Sequence, residues 1–136
     1  MRRLAALATA AGLLATAGCG TEAHDLFVVT RSGDIPGAKL ILRVTYDGRA
    51  SCNGRELVDI TSEQTITARE AQRELKEPAE AGLRLPPVRG SVLSYRVRTE
   101  DGTVAWSDTS RRQPPVLFTM AKLTRDVAKG ACGLAR

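Results

Sequence analysis

The stretch that most restricts the fold is SVLSYRVRTEDGTVAWSD, residues 91–108. Leu93, Tyr95 and Val97 alternate with Ser94, Arg96 and Arg98, and Val104 and Trp106 resume the alternation beyond Asp101-Gly102. Successive side chains of a strand point to opposite faces, so a period of two makes one apolar face and one polar face. Asp-Gly supplies the positive-φ positions of a tight turn. The stretch therefore predicts an antiparallel hairpin, core on one side and water on the other. Its apolar face needs a second layer to cover it.

The rest of the chain provides that layer and more strands. DLFVVTR, residues 25–31, is a short apolar run of strand character, and SGDIPG, residues 32–37, reads as a loop. Leu40, Leu42, Val44 and Tyr46 alternate with Ile41, Arg43 and Thr45, so the two runs are expected to pair. Asp47-Gly48 turns the chain into RASC, a further short strand, and Asn53-Gly54 punctuates again. Residues 60–78, ITSEQTITAREAQRELKEP, predict a helix with two capping frames, Thr61 with Gln64 and Thr67 with Glu70. Ala68, Ala71 and Leu75 share one face of it, and Pro78 is the expected stop. Residues 79–90 read as a Pro/Gly linker. Residues 114–134 predict a second helix that starts at Pro114-Pro115, carries a stripe of Val116, Met120, Leu123, Val127 and Ala131, and ends at Gly130 and Gly133. The expected fold is α+β in the order β-β-α-β-β-α: a four- to five-stranded antiparallel sheet with two helices packed on one face. Tyr46, Tyr95 and Trp106 alternate with aliphatic residues and are expected as core anchors.

The N-terminus carries an address. Arg2 and Arg3 precede fourteen uncharged residues, 4–17, which end in small side chains before Cys19. A basic start, a short apolar run and small residues make an export signal, too short to span a bilayer. Two cuts compete. Ala15-Thr16-Ala17 allows cleavage before Gly18; Thr16-Ala17-Gly18-Cys19 allows lipidation of the Cys19 sulfur, which then becomes the first mature residue. An acylated Cys19 forms a stable anchor, because two chains hold where one is marginal. The domain map that follows is a signal over 1–18, a lipidated tether over 19–25 and one α+β domain over 26–136. GTEAHD, residues 20–25, reaches about 20 Å when stretched, which keeps the domain close to the outer face of the membrane.

With Cys19 lipidated, Cys52 and Cys132 are the remaining pair, and an exported chain permits their disulfide. Two cysteines and one remote histidine cannot fill a tetrahedral zinc site, so no metal or other cofactor is expected. The mature chain holds 18 basic and 15 acidic residues. That mild excess is not the basic stripe of a nucleic-acid binder.

The chemistry-bearing residues are sparse. His24 is the single histidine and lies in the tether, so no nucleophile–histidine pair can form inside the domain. Glu70, Glu74 and Glu77 share a predicted helix face, but Arg69, Arg73 and Lys76 interleave with them, which reads as a solvated face with an Arg73–Glu77 pair. No catalytic residue is assigned and the chain is not expected to be an enzyme. Arg43, Arg96 and Arg98 fall on the polar sides of their strands. With Arg111 and Arg112 they form a candidate basic patch for anionic lipid headgroups or an anionic wall polymer.

Thr16-Ala17-Gly18-Cys19 resembles the lipobox of bacterial lipoproteins, with Thr16 in place of the usual branched aliphatic. The stretches PGAKLILRVTYDG, CNG and GSVLSYRVRTEDGTVAWSD resemble small exported lipoproteins of high-GC Gram-positive bacteria, a group that implies location and no activity. The layout also resembles secreted subtilisin inhibitors of those bacteria, which implies an antiparallel sheet, two helices and protease inhibition; that family braces a reactive loop with a local disulfide, and here no loop has one. The resulting expectation is a non-catalytic, membrane-anchored module of the cell envelope whose partner is an envelope protein or wall polymer. A protease inhibitor acting through residues 78–90 is the alternative.

Overall fold

Asp25–Gly33 forms β1, the strand on which the sheet is built, and the computed structural model describes residues 23–136. Residues 1–22, on which the expected signal, the expected lipidation of Cys19 and the first part of the expected tether fall, lie outside the described residues. β2 (Leu40–Thr45) and β5 (Leu93–Thr99) flank β1 on either side, both antiparallel to it. β3 (Arg49–Cys52) and β4 (Val58–Asp59) extend the sheet beyond β2, and β6 (Gly102–Ser107) extends it beyond β5. The order is β4-β3-β2-β1-β5-β6. Three helices, α1 (Ser62–Glu74), α2 (Lys76–Glu80) and α3 (Pro115–Gly130), complete the described fold.

The α+β class and the antiparallel sheet are as the sequence predicts. The counts differ, six strands for four to five and three helices for two. The additional elements are two-residue β4 and five-residue α2, both too short to leave a periodic signal.

Register sorts the side chains into two faces. One row runs Cys52–Leu42–Val29–Val97–Val104 across five strands, and all five are buried. The next runs Leu40–Arg31–Tyr95–Trp106, with Tyr95 and Trp106 stacked at a centroid distance of 5.1 Å. Ala68, Ala71 and Leu75 from the first helical segment, and Val116, Leu117, Met120, Leu123 and Val127 from α3, join the same core. Burial of such side chains contributes about 1.5–3 kcal/mol each for the larger ones, which is why a six-stranded sheet with one open face can be held by one helical layer.

The first helix begins as expected. Thr61 Oγ1 accepts from the Gln64 N–H at 3.1 Å, and Gln64 Oε1 accepts from the Thr61 N–H at 3.0 Å, a complete capping box. Thr67 and Glu70 lie inside α1, so the second frame caps nothing. The helix does not run to Pro78. It breaks at Leu75 and restarts as α2, with Pro78 in the first turn. A proline ring clashes with the carbonyl four residues earlier, here Glu74, and its missing N–H costs nothing within a first turn. The stop therefore acts upstream of the proline, and Glu77 falls on α2 rather than on the face of Glu70 and Glu74.

The hairpin turn also differs by one position. Thr99 pairs with Gly102, so the turn is Glu100-Asp101 and Gly102 opens β6 at φ 143°. A Cβ on Gly102 would lie 2.2 Å from the Ala79 carbonyl oxygen, so this glycine is required by the close approach of α2 to the strand. Tyr46 is not a core anchor; β2 ends at Thr45, and the turn that begins there swings Tyr46 outward to 42% exposure. Tyr95 and Trp106 are buried as expected.

Cys52 and Cys132 form a disulfide, which ties the segment just past α3 to β3. Its Cα atoms are 6.2 Å apart, an ordinary bridge span.

Candidate functional site

The face of the sheet away from the helices carries the second set of register rows. Ser51–Arg43–Val28–Arg98–Thr103 is one, and Ile41–Thr30–Arg96–Ala105 is the next. Arg43 and Arg98 flank Val28 from its two neighbouring strands, which separates their Cα atoms by about 10 Å; Arg96 lies about 7 Å from Arg98 along β5. The structure thus brings three of the five arginines singled out above onto one surface. Arg43 Nε donates to an Asp25 carboxylate oxygen, a half-exposed ion pair. Arg96 and Arg98 are exposed and have no hydrogen-bond or ion-pair partner among the described residues.

Arg111 and Arg112 are exposed on the loop beyond Ser107, not on the strands. Arg112 adopts φ 55°. That loop is held by Gln113, whose Nε2 donates to the carbonyls of Ser107 at 3.1 Å and Ser110 at 3.0 Å. Asp108 organises the same end of the sheet. Its carboxylate accepts from the N–H groups of Val92 and Leu93 and from the hydroxyls of Ser91 and Ser107. Partial burial works to raise its pKa, but these donors outweigh it and hold the carboxyl below its ordinary value.

Sequence reasoning missed Arg84. Residues 83–85 are not free linker: the Leu85 N–H donates to the Ala105 carbonyl and the Ala105 N–H to the Leu83 carbonyl, each at 2.9 Å. Arg84 thereby joins β6 as a parallel bridge. Residues 84–87 form one wall of a groove of about 440 Å³ whose floor includes Thr30, Ser32, Ser94, Arg96 and Ala105. The overlooked signal is the alternation Leu83-Arg84-Leu85, whose two leucines are half-buried.

The groove offers guanidinium groups and hydroxyls, the donors that suit phosphate or carboxylate oxygens. Acid–base or nucleophilic chemistry would need other groups. His24 is exposed at the start of the described chain, and Glu70, Glu74 and Glu77 are exposed on the helical layer. Among the described residues no three His, Cys, Asp or Glu side chains gather as metal ligands, and no helix is long and apolar enough to cross a membrane. No protein-family model, curated protein or solved structure matches the chain.

Proposed function

We propose that this chain is an extracytoplasmic lipoprotein, anchored through Cys19, that uses its open sheet face as a non-catalytic binding surface for an anionic polymer of the cell envelope. The observation that carries the reading is the pair Arg96 and Arg98, unpaired and exposed on the strand next to β1, with Arg43 across Val28 and Arg84 on the groove wall. Arg96 and Arg98, about 7 Å apart along one strand of a flat surface, with the ion-paired Arg43 about 10 Å from Arg98, suit repeated charges along a polymer better than one small anion. An exported, tethered domain meets wall polymers and not nucleic acid.

The inhibitor alternative has less support. The exposed tip of its segment is a tight turn in which the Ser91 N–H donates to the Val88 carbonyl at 3.3 Å around Gly90 at φ 90°. Proteases receive extended strands, and this tip is folded back on itself.

The test is a titration of the full chain, held in neutral-lipid vesicles, with inorganic polyphosphate. Arg96→Ser/Arg98→Ser is expected to weaken binding about tenfold or more, and added salt to weaken the unaltered protein. Equal binding by both proteins would refute the surface. Intact mass of the membrane-extracted protein tests the anchor separately: a diacylglyceryl addition at Cys19 supports it, and a water-soluble product beginning at Gly18 refutes it.

A further inference from the structure

Arg31 stands in the core-facing row Leu40–Arg31–Tyr95–Trp106, where the period of two calls for an apolar side chain. It is 3% exposed. Its Nε donates to the Ala38 carbonyl at 2.9 Å, and its Nη2 donates to the Gly37 carbonyl and to an oxygen of the main-chain carboxylate of Arg136, both at 3.1 Å. No Asp or Glu carboxylate meets it among the described residues. The two carbonyl dipoles and the terminal carboxylate together offset the cost of burying this cation, so Arg31 fixes this end of the sheet and the attraction for an outside anion comes from the exposed cations beside it.

A depression of about 760 Å³ opens beside it, between the Gly33 end of β1 and α3. Its apolar walls are Leu93, Tyr95, Ala121 and Phe118, the last 60% exposed. Every charged side chain that lines it is cationic: Arg31, Lys122, Arg125, Lys129 and Arg136. Asp126, outside the lining, pairs with Lys122 and approaches Arg125 at 3.6 Å. Lys129 and Arg136 have no ion-pair partner among the described residues. The volume lies within the range of small-molecule sites, about 300–1,000 Å³.

We propose that this depression binds an amphipathic anion, with its acidic headgroup among the exposed cations Arg125, Lys129 and Arg136 and its apolar body against Leu93, Tyr95, Ala121 and Phe118. The cations alone would suit a free anion; the exposed Phe118 beside three further apolar side chains gives a greasy part of the ligand a surface to bury against. The site is separate from the open sheet face and does not depend on the function proposed for that face.

Trp106, the single tryptophan of the chain, stacks on Tyr95, which lines this depression, and itself lines the groove of the open sheet face, so its fluorescence is read beside the Arg96→Ser/Arg98→Ser protein to assign a signal to one site or the other. The intact, oxidised chain is titrated with decyl phosphate, decanoate, inorganic phosphate and neutral decyl maltoside. Saturation by either decyl anion below about 1 mM is expected, with the neutral amphiphile and inorganic phosphate at least about tenfold weaker. Decyl phosphate against decanoate distinguishes a phosphate headgroup from a carboxylate. Arg125→Ser/Lys129→Ser, on exposed positions, should weaken the decyl anions about tenfold, and Phe118→Ser should weaken them while leaving inorganic phosphate unchanged. Arg96→Ser/Arg98→Ser should leave all four titrations unchanged. Equal affinity for decyl maltoside, no effect of the α3 double variant, or no saturation with either anion would overturn the proposal.

Discussion

Removing the Cys52–Cys132 bridge is the perturbation whose size the structure sets most directly. The bond closes a loop with a sequence separation of 80 residues, which holds β4, all three helices, β5 and β6. The chain-entropy expression for a loop of that length gives about 4.5 kcal/mol at 25 °C, and measured bridges commonly deliver about 2–4. Cys52→Ala/Cys132→Ala is therefore expected to lose between about 2 and 4.5 kcal/mol. At about 4 °C per kcal/mol for a domain of this size, Tm falls by roughly 8–18 °C. Urea unfolding followed by Trp106 fluorescence measures both the loss and its origin. If the bridge acts on the unfolded chain, the variant unfolds to a more expanded state and its m-value rises. A loss below about 1 kcal/mol, or an unchanged m-value, would refute the argument that the bond works by restricting the unfolded ensemble.

Two further outcomes follow from local geometry. Gly102→Ala puts a methyl group against the Ala79 carbonyl at a φ that L residues rarely adopt, so it should cost about 2 kcal/mol or more by the same unfolding measurement; an unchanged midpoint would mean that α2 can lift off β6 freely. Asp108 has a folded-state pKa below its unfolded value, so the stability it contributes is present above the unfolded carboxylate pKa of about 3.9 and is lost as pH falls through the lower, folded value. Asp108→Asn should flatten that acid limb and lower stability at pH 7, and an unaltered pH profile would show that its hydrogen bonds do not favour the ionised form.

The local alternations and caps were legible because each is a property of neighbouring residues. Leu93 to Val97 against Ser94 to Arg98, the Thr61/Gln64 box and the Val116–Val127 stripe all depend on spacings of two, three or four, and the backbone enforces those spacings without help from the rest of the fold. The bridge was legible by count, since the lipidation expected at Cys19 leaves two cysteines to pair.

What the tertiary structure decided is which strands lie side by side and what is covered. Only the insertion of β1 between β2 and β5 sets Arg43 and Arg98 on either side of Val28, and only the β6 bridge turns Arg84 from linker into groove wall. Arg31 reads in sequence as the polar end of a short strand, but the alternation that buries Phe27 and Val29 buries it too, and α3 and residues 135–136 close over that end of the sheet. Sequence spacing determines which face of its own element a side chain takes. Whether that face meets water, a helix or another arginine depends on residues many positions away, and no local pattern records them.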